Sequence, residues 1–85
     1  MTLIYSKKAL KQLKKIDISI SNRIITYMEN IAKLKNPREH GKRLSGQLSS
    51  FWRYRVGDYR ILCRIQDKEL VVSVVDIAHR KEVYR

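Results

Sequence analysis

Four arginines, Arg53, Arg55, Arg60 and Arg64, stand at strand spacing within twelve residues of the stretch FWRYRVGDYRILCRI, Phe51 to Ile65. A guanidinium is planar, stays charged at any physiological pH and meets phosphate oxygens with a rigid fork of donors. The chemistry open to such a cluster is electrostatic. It holds a phosphate and stabilises charge that grows on its oxygens. It does not accept a proton. Of the other reactive side chains, Cys63 falls among strand residues and reads as a small buried apolar group, the usual fate of a free cysteine. His79 is the type of side chain best suited to proton transfer near neutral pH, although a surface histidine is an equally good reading. His40 lies in a polar connection and is given no role.

The elements that position the arginines follow from the pattern around them. Phe51–Val56 and Tyr59–Ile65 read as two strands joined by Gly57-Asp58, a tight hairpin turn in which glycine supplies a positive φ. With those two residues as the loop, Val56 pairs with Tyr59, Arg55 with Arg60, Tyr54 with Ile61, Arg53 with Leu62 and Trp52 with Cys63. Alternation then separates two faces. Trp52, Tyr54, Val56, Tyr59, Ile61, Cys63 and Ile65 form the core face. Arg53, Arg55, Arg60, Leu62 and Arg64 form the other. Like charges set opposite one another cost about 0.2–1 kcal/mol. Charge of this kind can protect a sheet edge from aggregation, but lysine or mixed charge serves that end without concentrating arginine. An anion site is the better account. A third strand, Leu70–Ile77, is expected after a turn at Asp67-Lys68, with Leu70, Val72 and Val74 on the core face and Val71, Ser73, Val75 and Ile77 on the arginine face.

Upstream, Leu3-Ile4-Tyr5 is a short β-prone run, and Ser6 is a helix N-cap. A first helix follows, with Leu10 and Leu13 on one stripe and Ile16 one turn on. Lys7, Lys8, Lys11, Lys14 and Lys15 take the remaining positions. Each lysine singly reads as part of a solvated face; as a cluster they can contact phosphates. A second helix starts within Asp17–Ser21 and runs to about Lys35, with Ile20, Ile24, Met28 and Ile31 as its stripe, widened by Ile25 and Ala32. Asn36-Pro37 ends it. Residues 36–50 form a polar connection, pinned to the core by Leu44 and Leu48. The two helices form an antiparallel hairpin on the sheet.

The chain has 85 residues and a formal net charge of +11. That length makes one domain, residues 1–85, with one core and little room for a deep small-molecule cavity. The charge attracts polyanions such as nucleic acid or an acidic protein. A single cysteine excludes an intramolecular disulfide, and with only His40 and His79 beside it there is no zinc ligand set. No carboxylate cluster suits two-metal catalysis, so neither a metal nor a small-molecule cofactor is expected. No signal peptide and no membrane-length apolar run is present, which points to the cytoplasm.

The segment KRLSG (Lys42–Gly46), the hairpin FWRYRVGDYRILCRI, the strand VVSVVDIAHR and a closing EVY together resemble the RelE/ParE superfamily of bacterial toxins. The resemblance spans nearly the whole chain. The spacing R-x-R-x-G-x-Y-R followed by H-R-x-x-V-Y carries it, each piece being weak alone. It implies an α/β (α+β) fold in which an N-terminal strand and a two-helix hairpin pack on a mostly antiparallel four-stranded sheet. It also implies a cognate antitoxin that covers or distorts the basic face. In the RelE branch the activity is ribosome-dependent cleavage of mRNA in the A site. In the ParE branch it is inhibition of DNA gyrase without nuclease activity. A non-catalytic nucleic-acid-binding domain is a third possibility on charge alone.

The resemblance carries functional positions onto Arg53 and Arg55 (a basic pair), Arg60, Arg80 and a C-terminal tyrosine, Tyr84. His79 stands where some relatives have a basic residue or a histidine. ParE-type toxins generally lack the tyrosine, so Tyr84 favours the RNase branch. Arg60 and Arg80 are assigned to the scissile phosphate, Arg53 and Arg55 to positioning the backbone, and Tyr84 to stacking on a base or accepting the 2′-OH proton. Lys7, Lys8, Lys11, Lys14, Lys15, Lys42, Arg43 and Arg64 are candidates for docking on RNA or the ribosome. One departure matters. Familiar members have lysines where this chain has Arg53 and Arg55. Because arginine does not give up its proton, any base role of that pair moves here to Tyr84 or His79, or the reaction is slower.

Overall fold

Ser6 opens the first helix by accepting a hydrogen bond on its hydroxyl from the Ala9 N–H at 3.0 Å, which fills one of the donors a helix N-terminus leaves unpaired. Asp17 does the same for the second helix through the Ser19 N–H at 2.9 Å, and the Ser19 hydroxyl, donating at 2.6 Å, together with that N–H holds its carboxyl below the usual range. The computed structural model describes residues 1–83. In order these form β1 (Thr2–Tyr5), α1 (Lys7–Lys15), α2 (Ile18–Lys33), β2 (Lys42–Arg43), β3 (Trp52–Val56), β4 (Tyr59–Gln66), β5 (Val71–His79) and one helical turn, α3 (Arg80–Val83). Short 3-10 turns at Pro37–Glu39 and Gly46–Leu48 flank β2. Among the described residues no helix is long and apolar enough to cross a membrane.

The sheet order is β1-β5-β4-β3-β2, with β1 parallel to β5 and every other pair antiparallel. The sheet has five strands rather than four. The addition is β2, whose two residues pair Lys42 with Arg53 and Arg43 with Trp52. It lay hidden because a two-residue basic strand carries no apolar alternation. Helices α1 and α2 pack on one face. Ala9, Leu13, Ile24, Met28 and Ile31 meet Tyr54, Val56, Ile61, Cys63, Val72, Val74 and Ile77 in one core. Burial pushes the Cys63 thiol up to about 12, so it stays protonated and inert as expected.

The β3–β4 register is the expected one at all five pairs. The β4–β5 register is not. The turn takes in Asp67 to Leu70, closed by the Leu70 N–H donating to the Asp67 carbonyl at 3.2 Å. Leu70 therefore sits in the turn at φ 56 and is exposed, instead of opening a strand on the core face. A bulge follows. Cys63 pairs with Val74 but Leu62 pairs with Asp76, leaving Val75 as the extra residue. A bulge shifts alternation by one. Ile77, expected on the arginine face, is buried in the core, and Asp76 emerges on the arginine face opposite Leu62. Without the bulge, the alternation of Val72 and Val74 would drive Asp76 into the apolar core.

Three smaller expectations also change. On α1, Ala9 rather than Leu10 shares the buried stripe with Leu13, and Leu10 is exposed. Leu48 is exposed, so it does not pin the connection; Leu44 is half-buried. Helix α2 stops at Lys33, where the Leu34 N–H turns back to the Ile31 carbonyl at 3.1 Å.

Past Tyr5 the edge of β5 loses its strand partner, and α1 takes over. Ser6 donates from its hydroxyl to the Val75 carbonyl at 3.0 Å. The Gln12 side-chain carbonyl accepts from the Ile77 N–H at 2.7 Å, and its amide donates to Asp76 Oδ1 at 2.9 Å. This places α1, with its lysines, beside the open arginine face. At the other edge, Gly41 has φ +75, and a Cβ there would run into the Arg53 carbonyl oxygen, with Trp52 Nε1 at 2.7 Å and Tyr54 Cδ1 at 2.9 Å. Gly41→Ala combines a left-handed conformation with overpacking against backbone. It is expected to destabilise the fold by about 2–5 kcal/mol in denaturant unfolding; a change under about 0.5 kcal/mol would mean that β2 is not held against β3 in this way.

Candidate phosphate-binding site

Arginine side chains from three elements meet at the hairpin end of the sheet. Arg55 is the penultimate residue of β3, Arg60 is the second of β4 opposite it, and Arg80 starts α3 directly after β5. Together with Gly57, Asp58 and Tyr59 they line a hollow of about 200 Å³. The Gly57-Asp58 turn does more than join two strands. Its Asp58 carbonyl accepts the Arg80 N–H at 2.7 Å, and its carboxylate lies 3.7 Å from Arg80 Nη1. The turn thus fixes where the chain leaves β5, and with it the position of Arg80. Among the described residues Asp58 is the one carboxylate lining the hollow, against three guanidiniums.

Arg60 is the least exposed of these cations where exposure is resolved, with 22% of its side chain accessible against 67% for Arg80. Its Nη2 lies 3.7 Å from Asp76 Oδ2. Asp76 is in turn held by the Gln12 amide and by Lys8 Nζ at 3.1 Å. Partial burial pushes the Asp76 carboxyl up, but the hydrogen bonds from Gln12 and Lys8 and the charges of Lys8 and Arg60 outweigh it and hold the group below the usual carboxylate range. The bulge at Val75 makes this network by turning Asp76 toward the arginines. Arg60 Nε and Arg53 Nε are buried and have no hydrogen-bond partner among the described residues. Such donors favour an incoming acceptor.

A carboxyl whose pKa is depressed by folding contributes stability above its unfolded pKa and loses it as pH falls through the folded value. Asp76→Asn is therefore expected to lower stability by about 1–2 kcal/mol at pH 7. The gap should close at pH values below the usual carboxylate range. Denaturant unfolding at both pH values tests this; a gap that persists in acid would remove the charge on Asp76 as its cause.

The other candidates are distributed as follows. Arg53 lies two residues from Arg55 on the same strand face, between Leu62 and Lys42, and does not line the hollow. His79 ends β5 on the helix side of the turn. Its ring stands edge-on to Tyr59 at 5.1 Å, its Nδ1 accepts the Lys81 N–H at 3.1 Å, and it faces a separate hollow with Ile20, Arg23 and Val56. Tyr84 lies outside the described residues. Lys8 joins the margin of the site through Asp76. Lys7, Lys11, Lys14 and Lys15 are exposed along α1. Lys42 is on the arginine face opposite Arg53, Arg43 is at the far edge, and Arg64 stacks over Phe51 at 4.9 Å. The parts that Asp58, Asp76 and Gln12 play at the site went unnoticed in the sequence. A signal existed for Asp76, the one charge inside VVSVVDIA, an apolar strand where a carboxylate needs partners. Among the described residues no group of three or more His, Cys, Asp or Glu side chains is placed to hold a metal ion.

Residues 3–84 match the family described as "ParE toxin of type II toxin-antitoxin system, parDE". The chain belongs to this family. The toxin is 35% identical over 51 residues to Toxin RelG of Mycobacterium tuberculosis, a match that covers 60% of the chain and 59% of that relative. Its structure superposes on the toxin–antitoxin complex RelBE2 of M. tuberculosis with a TM-score of 0.84 and 26% identity, over 93% of this chain and 90% of that one. The isolated E. coli RelE toxin shares the fold, with a TM-score of 0.75 and 20% identity over 98% of this chain and 89% of that one. The protein is thus a type II toxin–antitoxin toxin of the RelE/ParE superfamily.

Proposed function

We propose that the toxin is a ribosome-dependent mRNA endoribonuclease, acting in the cytoplasm on A-site mRNA and neutralised by a cognate antitoxin. The observation that supports this reading is the convergence of Arg55, Arg60 and Arg80 on one hollow, a geometry suited to the non-bridging oxygens of a single phosphate. RNA supplies its own nucleophile. The 2′-oxygen attacks phosphorus, the P–O5′ bond breaks, and the products are a 2′,3′-cyclic phosphate and a 5′-hydroxyl. Arg60 and Arg80 stabilise the charge gained by the phosphoryl oxygens, and Arg53 and Arg55 hold the backbone. The 2′-OH proton goes to the Tyr84 phenolate or to neutral His79, since guanidiniums do not take it, and the leaving 5′-oxygen takes a proton back from that group or from water. The antitoxin finds support in the M. tuberculosis neighbour, which is a toxin–antitoxin complex.

This equipment is strong in electrostatics and thin in acid–base groups, so placement of the substrate by the ribosome has to supply much of the barrier reduction. Purified toxin is expected to cleave translated mRNA at least about 10²-fold faster than the same RNA free in solution. Equal rates on the two substrates would sink ribosome dependence.

The matched family is described by its ParE toxin, and this favours a second reading, a DNA gyrase inhibitor without nuclease activity. Primer extension on mRNA from cells expressing the toxin, run beside a gyrase supercoiling assay, separates the two. Codon-phased mRNA breaks with normal supercoiling support the ribonuclease. Inhibited supercoiling with intact mRNA overturns it.

A further inference from the structure

A second hollow, of about 220 Å³, lies at the other end of β3 and is lined by Arg38, Arg43, Ser49, Ser50, Phe51 and Trp52. Arg43 pairs with Trp52, so both belong to the helix-side face and not to the open face of Arg55 and Arg60. β3 has five residues, which at about 3.3 Å each separates the two hollows by roughly 13 Å.

Its walls are flat and fixed in advance. Trp52 donates from Nε1 to the His40 carbonyl at 2.7 Å, which sets the ring's tilt. The Arg38 guanidinium lies 5.9 Å over the Trp52 ring. It is held in plane by two parallel bonds to the Asp67 carboxylate at 2.9 and 3.0 Å. Asp67 neutralises the Arg38 charge, so Arg38 brings a planar surface more than a charge. Phe51 borders the hollow from the next position along the chain, its ring meeting the Arg64 guanidinium of the open face at 4.9 Å. Against these planes stands Arg43, exposed and with no side-chain ion pair among the described residues, beside the exposed hydroxyls of Ser49 and Ser50.

We propose that this hollow is a second nucleotide-binding site, which takes a base against the Arg38 plane, itself backed by the Trp52 ring, and the adjoining phosphate on Arg43. Single-stranded RNA is recognised by this combination: bases stack on aromatic rings and guanidinium planes while a free cation takes the phosphate. Because Trp52 and Arg38 are already braced, little side-chain freedom is lost on binding. An acidic peptide would engage Arg43 and the serines but leave the planes unused. The site is independent of the ribonuclease reading. A toxin that contacts RNA only to dock would use it equally.

Trp52 is the only tryptophan of the chain, so its emission reports the site directly. The full-length toxin is titrated with a uridine hexanucleotide in which every 2′-OH is methylated, which removes the strand's own nucleophile. A saturable change in Trp52 emission is expected. Arg43→Ala, at an exposed position, should raise the midpoint about tenfold, the loss of one charge-assisted contact. Arg38→Ala, which removes the stacking plane, should raise it comparably. Polyglutamate at equal charge should leave the emission unchanged. The proposal is overturned by an absent or non-saturating change, by an equal response to polyglutamate, or by an unaltered midpoint in Arg43→Ala or Arg38→Ala. Binding is read without cleavage, so a toxin that proves not to be a nuclease leaves this result interpretable.

Discussion

Arg60→Ala is expected to lower cleavage of ribosome-bound mRNA by about 10²–10³-fold, the usual cost of losing one donor aimed at charge that develops in a transition state. Of the three guanidiniums at the hollow, Arg60 has two distinguishing features. It is partly buried, where a charge acts through less solvent, and it lies beside Asp76, itself fixed by Gln12 and Lys8. Arg80 projects further into solvent and owes its place to the Asp58 turn. The fold should tolerate the change. Asp76 keeps two partners, and removing Arg60 relieves the like charge of Arg55 across the strand pair, so stability should move by no more than about 1 kcal/mol. Arg60→Lys restores a charge but not a planar fork and should recover only part of the rate. The measurements are single-turnover cleavage on programmed ribosomes and growth inhibition, each beside an unfolding curve. An Arg60→Ala toxin that cuts and arrests growth like its parent, while still folded, removes Arg60 from the site.

The arginine hairpin was legible because two simple rules agree over Trp52–Gln66: a glycine turn fixes the register, and alternation fixes the faces. All five pairs follow from the position of Gly57-Asp58. The next pair was misplaced for two physical reasons. Leu70 is apolar, and an apolar residue beside a valine run reads as strand. Here it closes a longer turn at φ 56, a conformation more often left to glycine or asparagine. The bulge at Val75 is a tertiary decision. It is made where α1 replaces β1 as the neighbour of β5, through Ser6 and Gln12, and periodicity along one strand does not contain it.

The same bulge separates what could be read of the site from what could not. The charges at Arg53, Arg55 and Arg60 follow from one hairpin. Of the carboxylates that organise the site, Asp76 arrives through a register shift, and Asp58, although in the hairpin turn itself, acts by fixing the exit of the chain into α3. Conversely, the sequence neighbours His79 and Arg80 look like one unit, yet the helical turn sends them apart. Arg80 lines the arginine hollow, and His79 faces Ile20 and Arg23 across the Gly57-Asp58 turn.

That separation bears on the proton. His79 spends Nδ1 on the Lys81 N–H and packs edge-on against Tyr59, so its neutral form carries its proton on Nε2 and has no second nitrogen free to accept one. Moving a 2′-OH proton to this ring would require α3 to release that bond. Of the two proposed acceptors, Tyr84 is the one that remains. On the ribonuclease reading, Tyr84→Phe is therefore expected to reduce cleavage on the ribosome by about 10²–10⁴-fold, the range of general acid–base assistance. His79→Ala should cost less than about tenfold, through a loosened α3 and a displaced Arg80. The two losses also differ in kind. A Tyr84→Phe toxin retains every arginine and should bind programmed ribosomes as its parent does, so the loss falls on the single-turnover rate at saturation. A His79→Ala toxin should show its loss partly in binding. If His79→Ala abolishes the saturated rate and Tyr84→Phe does not, the proton passes through the imidazole, and α3 must rearrange when RNA enters.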